Sequence, residues 1–489
     1  MKVITRRSFM KGSAAAGLGL MFSGRSARPA TVSGVRGAND DIRVAVVGCR
    51  SKGGQHVEVF HQLEGVRVVA LCDVDREILD GHLKNFEERK EKVDTCTDVR
   101  RLLDDKSIDA IVVATPNHWH ALITVWACQA GKDVYVEKPI SYNVWEGRKA
   151  VEAARKYGRI VQAGTQNRSD IGLREAVEYI QQGSLGRILW AHGLWFKLRP
   201  SIGRVDGPQR VPPNIDYNLW TGPAPLKPLM REQLHYDWHW DWDTGNGDMG
   251  NIGVHQIDDC VWAIGQSGLP PRLMSVGGRF GYIDDGQTPN TQMAVFDYKP
   301  APIIIEVRGL PMAKGVRAMD SYRGVRSGNI IQCENGYFAG GRGGGWAYDN
   351  NGRKIRQFKG DGGGGHQANF IQAMRSRKVS DLHADILGGH FSAALCDMAN
   401  ISYRLGWKSA PEQVKEAIGD NREALETFGR FEKHLAANEV DLKETPFVRG
   451  PWLNVNSQAE NFVGDFPTRW ANELLRRTYR EPFVVPDKV

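Results

Sequence analysis

The sequence predicts an α/β chain of more than one domain: a doubly wound parallel sheet first, then an α+β domain with an open, mostly antiparallel sheet. Three observations carry this. The 489 residues exceed what one hydrophobic core supports. β-Branched apolar runs at 42–47, 66–71, 108–114, 133–136 and 159–163 alternate with amphipathic stretches at 54–63, 75–91, 118–131 and 144–157. That spacing belongs to a parallel sheet with helices on both faces. Beyond residue 164 the alternation stops. Strand candidates at 272–283, 291–298, 302–309, 329–333 and 353–358 then follow one another through short turns.

The second half opens with a helical pattern at 173–182 and a strand pattern at 187–196. A Pro- and Trp-rich stretch, 199–245, has little periodicity. Glycine runs at 340–345 and 360–365 read as flexible loops at hairpin tips. Helical patterns return at 366–377, 385–405, 411–418, 422–437 and 467–477. The expected boundaries are 1–38 for an export segment and linker, 41–165 for the parallel-sheet domain and 166–489 for the α+β domain.

The first 38 residues hold a basic start with Arg6-Arg7-Ser8-Phe9-Met10-Lys11 and a short apolar run from Ala14 to Phe22. This is the pattern of an export signal. The arginine pair resembles a twin-arginine signal, whose machinery carries folded proteins. The run is too short for a stable membrane span. The segment carries seven basic and no acidic residues, equal to the whole formal charge of +7. The remaining chain is near neutral, so the basic isoelectric point does not argue for nucleic acid. The seven cysteines include no Cys-x-x-Cys pair and read as small buried hydrophobes rather than a disulfide framework.

Gly48-Cys49-Arg50-Ser51-Lys52-Gly53-Gly54 lies where the first strand meets the first helix. A tight turn needs glycine there, and a pyrophosphate needs close backbone and a helix N-terminus. The spacing departs from Gly-x-Gly-x-x-Gly, so the strand–turn–helix context carries the reading of a Rossmann dinucleotide-binding domain. Asp73 ends the second strand, where a carboxylate accepts ribose hydroxyls and repels a 2′-phosphate. NAD is expected over NADP, although Arg50 and Lys52 could support a phosphate. Thr115-Pro116-Asn117-His118-Trp119-His120 and Glu137-Lys138-Pro139 fall at the carboxyl ends of later strands, where such sheets bind ligands.

In this order and spacing, these motifs resemble the Gfo/Idh/MocA family of sugar and cyclitol oxidoreductases. The likeness is strong over the Rossmann half and rests on a few motifs beyond it. It implies that Lys138 lies beside the nicotinamide and the reacting carbon. Thr115, Asn117, His120, Glu137 and Gln166 join Gly48, Arg50, Ser51, Lys52, Gly53 and Asp73 as expected cofactor contacts. The segment Gly247–Asp258 resembles the family's Asp-x-Gly-x-His motif, with His255 as the acid/base candidate. Asn251 stands where the family often has aspartate. An amide can orient a hydroxyl but cannot take its proton, and Asp248 is the candidate to replace it. Arg168 is expected to face substrate or nicotinamide. In His235–Asp243, two functional readings compete, a metal site or a sugar-pocket wall of Trp238, Trp240 and Trp242, beside plain packing. His235 and His239 with nearby carboxylates could bind metal, but the family needs none and none is expected. His390 reads as a buried, bonded histidine.

The reading that follows is an exported NAD-dependent oxidoreductase acting on a sugar, glycoside or polyol. Outside the cytoplasm there is no free nicotinamide pool, so the cofactor should be carried in folded form and recycled internally. One such cycle oxidises a ring hydroxyl, permits elimination of a glycosidic substituent and returns the hydride, as NAD-dependent glycosidases of the family do. A sugar-binding protein without turnover is the non-enzymatic alternative. The resemblance also implies a homo-oligomer paired through the open sheet.

Overall fold

The computed structural model describes residues 41–489, and the expected export segment lies outside them. The first domain has strands β1 (Ile42–Val47), β2 (Val66–Cys72), β3 (Asp94–Cys96), β4 (Ala110–Val113), β5 (Asp133–Val136) and β6 (Val161–Ala163). All pair in parallel, in the order β3-β2-β1-β4-β5-β6. The order reverses between β1 and β4, and the crevice outside their carboxyl ends is where a doubly wound sheet binds its ligand. Helices α1 (Ser51–His61), α2 (Arg76–Glu88), α3 (Arg100–Asp104), α4 (Asn117–Gln129) and α5 (Val144–Lys156) cover the faces. Near-continuous burial of β1, β4 and β5 explains their β-branched composition. β3 escaped the sequence reading because three residues carry no periodicity.

The second half contains α6 (Ile171–Gln181), β7 (Ile188–Phe196), α7 (Tyr217–Thr221), α8 (Val254–Ala263), β8 (Arg272–Gly278), β9 (Thr291–Phe296) and β10 (Ile303–Arg308). It continues with β11 (Ser327–Cys333), β12 (Gly336–Gly341), β13 (Gly344–Asp349), β14 (Lys354–Lys359), α9 (His366–Ser376), α10 (Ile386–Arg404), β15 (Trp407–Ser409), α11 (Pro411–Ile418) and α12 (Arg422–Ala437). It ends with β16 (Phe447–Arg449), β17 (Leu453–Asn456), β18 (Asn461–Val463) and α13 (Thr468–Glu473). One sheet of twelve strands runs β14-β13-β12-β11-β7-β10-β9-β8-β16-β15, with β17 also pairing β8 and β18 pairing β17. Only β7 and β10 pair in parallel. One face buries its core against α6, α8 and α10, while Phe428, Phe431 and Leu435 of α12 cover the β8–β10 end of the other.

Two parts of the second half return to the Rossmann domain. Phe370 of α9 packs edge-on against Phe60 and Tyr135, and Phe483 near the chain end packs against Trp119. The glycine run at 340–345 is mostly strand, with the turn confined to Arg342-Gly343. A side chain at Gly340 would bring its Cβ within 2.4 Å of the Gly344 carbonyl oxygen, so the glycines serve close strand approach. The fully buried Asp170 carboxylate accepts from the Gly343 and Gly362 amides at 3.0 and 2.6 Å and pins both glycine segments to the start of α6.

Candidate active site

A cleft of about 350 Å³ opens along the carboxyl ends of β1, β2, β4 and β5. Its Rossmann wall begins at Gly48, which has φ +79°; a Cβ there would lie 2.8 Å from the Ala114 carbonyl and the Thr115 nitrogen. At Gly53 a Cβ would come within 1.6 Å of the Gly48 carbonyl oxygen. The turn is therefore closed to side chains, as close approach of a pyrophosphate requires. The first turn of α1 has neither a side-chain cap nor an acidic residue, leaving its amides and dipole for an anion. Asp73 fixes the turn from β2: one carboxylate oxygen accepts from the Cys49 amide at 2.7 Å, the other from the Asp75 amide at 3.0 Å. Thr115 lines the same wall, and its buried hydroxyl finds no partner among the described residues. These features fit a dinucleotide.

Glu137 ends β5. Its Oε1 meets His56 Nε2 and Gln166 Nε2, each at 2.8 Å. Burial alone would raise this carboxyl. The hydrogen bond and charge of His56, with Lys52 and Lys138, instead hold it well below the usual range. Gln166 also donates to Tyr135 Oη and so braces Glu137 from behind the cleft. His120 contacts the Pro139 and Thr115 carbonyls at 2.6 and 2.7 Å, tying together the loops after β4 and β5. Burial lowers its pKa.

Lys138 extends from this framework to the second half. Its Nζ donates to the Asn251 carbonyl and, at 3.3 Å, to Asn251 Oδ1. Burial lowers the ammonium's pKa against the opposing pull of Glu137. Asn251 lies in a π-helical turn, Met249–Gly253, that leads into α8. Such turns often mark functional sites. Its amide nitrogen is 3.5 Å from Asp248, which Arg199 clamps at 2.7 and 2.6 Å. Arg199 also donates to Tyr236 Oη at 2.6 Å, and its guanidinium lies over Trp240. A chain of bonds thus runs from Lys138 through Asn251, Asp248 and Arg199 to Tyr236.

The stretch 211–240 forms a strap across the cleft. On one side Asn214 Nδ2 donates to Asp75 at 2.7 Å, and the Asp216 and Arg76 amides bond across to the Val74 and Asn214 carbonyls. His235 Nε2 also meets Asp75, at 3.0 Å. On the other side, Trp119 Nε1 donates to the Leu219 and Trp220 carbonyls, and His118 Nε2 contacts Trp220 at 3.0 Å. Leu219, Trp220, His235, Tyr236, Trp238 and His239 contribute to the cleft lining. His239 stacks on Trp238 with ring centres 3.6 Å apart, and burial pushes its pKa down to about 3.

Of the residues singled out by sequence, Gly48, Arg50, Ser51, Lys52, Asp73, Thr115, Asn117, His120, Glu137, Lys138, Trp238 and Asn251 line the cleft. Gly53 supports the turn, and Gln166 supports Glu137. Arg168 faces Asp258, with bonds of 2.7 and 3.0 Å. Asp248 is committed to Arg199. Trp240 lies under Arg199, and Trp242 lies at a separate pocket. His255 lies outside the cleft lining but within the field of Lys138 and Glu137. Burial pushes it to about 3, and its buried Nδ1 has no partner among the described residues. Sequence reading missed His56 and Arg199 because neither belongs to a local motif, and passed over Tyr236 inside His235–Asp243 because its partner Arg199 lies 37 positions away. His390 is buried and bonded to Glu460 at 2.9 Å.

Residues 42–165 match the model of an oxidoreductase family with an NAD-binding Rossmann fold, and residues 191–285 match that family's C-terminal alpha/beta domain. A glycosyl hydrolase family 109 protein of Shewanella baltica is 29% identical over 228 residues, which are 42% of this chain and 49% of the relative. The chain thus spans about half the length of that relative. The uncharacterized oxidoreductase YrbE of Bacillus subtilis is 26% identical over 295 residues, covering 58% of this chain and 74% of the relative. Among solved structures, the WlbA dehydrogenase of Bordetella pertussis, in complex with NADH and UDP-GlcNAcA, is 20% identical. It covers 74% of this chain and 95% of its own, with a TM-score of 0.53. GenD2 from gentamicin A biosynthesis, in complex with NAD, is 18% identical, covers 73% and 93%, and has a TM-score of 0.51. The structural likenesses concern the fold.

Proposed function

From the premise that the chain belongs to the NAD-binding Gfo/Idh/MocA oxidoreductase family, we propose that it oxidises a hydroxyl of a sugar, glycoside or polyol with a resident NAD, which is recycled by passing the hydride to the carbonyl of a second sugar or back to the same substrate. The observation that carries this reading is the strap. Segment 211–240 crosses the dinucleotide cleft and is bonded on both sides, to Asp75 and to His118 and Trp119. A cofactor under such a strap exchanges slowly with solvent.

The turn from Gly48 to Ser51 and the start of α1 would hold the pyrophosphate, and Asp73 a ribose. Thr115, Asn117 and Glu137 would line the path to Lys138. A bound NAD would supply a hydride acceptor for the carbon bearing the hydroxyl. Lys138 Nζ, oriented by Asn251, donates to that hydroxyl oxygen and stabilises it as negative charge develops. His255, kept neutral by burial and set back from the cleft lining, would take the hydroxyl proton through one bridging water. His239 holds the substrate from the strap, because its Nδ1 is engaged with the Tyr236 carbonyl and Nε2 is the nitrogen left for a ligand. Asp248 and Arg199 act as positioning residues.

A second reading is favoured by the likeness to glycosyl hydrolase family 109 proteins: the same oxidation precedes elimination of a glycosidic substituent, and the hydride then returns. Incubating the purified protein with nitrophenyl glycosides and free sugars, without added NAD, tests both. Aglycone release supports the hydrolytic cycle, and a sugar ketone formed with reduced cofactor supports net oxidation. No turnover of any sugar by cofactor-loaded protein would overturn the proposal.

We also propose export in folded form by the twin-arginine route, supported by Arg6-Arg7 ahead of the short apolar run. Replacing both arginines by lysine should leave the protein in the cytoplasm on cell fractionation; unchanged export would refute this. A homo-oligomer paired through the open sheet is supported by half-buried Trp190, Tyr337 and Tyr348 on the outer face of β7, β12 and β13. Sedimentation showing only monomer would exclude it. Among the described residues no helix is long and apolar enough to cross a membrane.

A further inference from the structure

A second pocket of about 260 Å³ lies between the start of α5, the loop before the π turn, the end of α10 and residues 474–478. Three buried polar side chains form its floor: Asn246, Asp397 and Asn400. Asp397 is 5% exposed. Its Oδ1 accepts from Asn246 Nδ2 at 2.8 Å, while its Oδ2 has no partner among the described residues. Burial, reinforced by nearby Glu146, pushes this carboxyl well above the usual range.

Arg404 and Arg477 form the rim. The Arg477 guanidinium centre sits 4.3 Å from the Tyr142 ring centre, and one terminal nitrogen donates to the Asp243 carbonyl at 2.7 Å. Its Nε and Nη1 are buried with no partner among the described residues. Arg404 lies over Trp242, at 5.2 Å, and makes no ion pair among the described residues. Of the neighbouring charges, Arg476 pairs with Asp487 at 2.7 Å and Asp243 with Lys227 at 2.5 Å, while the buried Glu146 carboxyl accepts from Asn143 and Tyr479. The free donors of this pocket come from two guanidiniums placed over aromatic rings, one of them with Nε and Nη1 unpartnered, since both Asn246 amide hydrogens are spent on Asp397 and the Tyr142 carbonyl. A cation would be repelled and a wholly apolar group would leave them unpaired.

We infer that this pocket binds an oxyanion group, a carboxylate, sulfate or phosphate carried by a small molecule, in the fork between Arg404 and Arg477 above Asp397. The site is distinct from the dinucleotide cleft but connected to it. Asn246, which bonds Asp397, also accepts from Asn117 Nδ2 at 2.9 Å, and Asn117 lines the cleft. The inference does not depend on which hydroxyl the enzyme oxidises.

Calorimetric titration of the full, cofactor-loaded chain with sulfate, inorganic phosphate and glucuronate tests it, with glucose as the neutral control. Saturable binding of at least one anion at one site per chain is expected, while any glucose binding at the dinucleotide cleft is unchanged in the arginine variants. Tighter binding of glucuronate identifies a sugar acid; tighter binding of sulfate or phosphate identifies an ester, and either supports the site. Arg404→Ala and Arg477→Ala should each weaken binding by about tenfold or more, as loss of a charge-assisted bond does. Should Arg477→Ala melt early, Arg477→Lys replaces it and should show weaker binding with native cofactor content. No saturable anion binding, or equal affinity in the arginine variants, would overturn the inference. Because binding is read directly, its failure is distinguishable from absent sugar turnover.

Discussion

The two walls of the cleft are built differently. The Rossmann wall is backbone: a turn without side chains at Gly48, helix amides at the start of α1, and strand ends locked by buried bonds such as those of Glu137 and His120. The facing wall is made of side chains on irregular chain, the strap and the π turn, held through Arg199, Asp248, Tyr236 and Asp75. The first tolerates almost no added atom, whereas the second fails when a partner is removed. On the proposed reading this difference is a division of labour, with cofactor position set by topology and substrate handling by a side-chain network.

Substitutions on each wall should therefore fail differently. The largest effect is expected at the junction. Lys138→Ala should lower kcat by about a thousandfold, the range for losing a positioned proton-handling group, while retaining bound cofactor in absorbance spectra. On the backbone wall, Gly48→Val places a β-branched side chain at positive φ against Ala114. It should cost about 3 kcal/mol in unfolding experiments and leave the protein without cofactor. On the side-chain wall, Arg199→Leu strands buried Asp248. A loss of about 3 kcal/mol of stability is expected in denaturant melts, with cofactor still bound. If Arg199→Leu emptied the cleft as Gly48→Val does, the division would break down. Asp75→Ala cuts the strap's bonds to Asn214 and His235 and should speed cofactor release about tenfold in a chase with excess nucleotide.

The smallest effect concerns Asp259, behind the site. Burial, with Asp258 nearby, raises its carboxyl from 3.8 to about 7. The folded protein holds the proton up to about pH 7, whereas the unfolded chain releases it near 4. This contribution to stability is complete below pH 4 and is lost as pH rises towards 7. Asp259→Asn should raise Tm by roughly 2 °C at pH 8 and leave it unchanged at pH 4, measured by calorimetry.

The same contrast explains what was legible in the sequence. β1, β2, β4, β5 and β6 announce themselves through apolar runs, and Gly48, Asp73, Thr115, Glu137 and Lys138 through their place at strand ends. The strap has no such signature. Its shape comes from bonds between residues far apart in sequence, such as Asn214 to Asp75 and Trp119 to Trp220. Arg199 is invisible for the same reason, since its partners lie 37 and 49 positions away. Trp238, Trp240 and Trp242 look equivalent as a sequence, yet one lines the cleft, one carries Arg199 and one borders the second pocket. Strands β15 to β18 are three or four residues long, too short for periodicity to register. The glycine run at 340–345 reads as a loop by composition but is strand because neighbouring backbones approach so closely.

The claim that the strap makes this domain a holder for a resident coenzyme is tested most directly by nucleotide content. Protein purified without added cofactor and passed through a desalting column is denatured, and the released nucleotide is identified by mass and absorbance. The account predicts close to one NAD per chain, retained through the column. Protein that emerges empty, and then binds and releases added NAD freely, would contradict it.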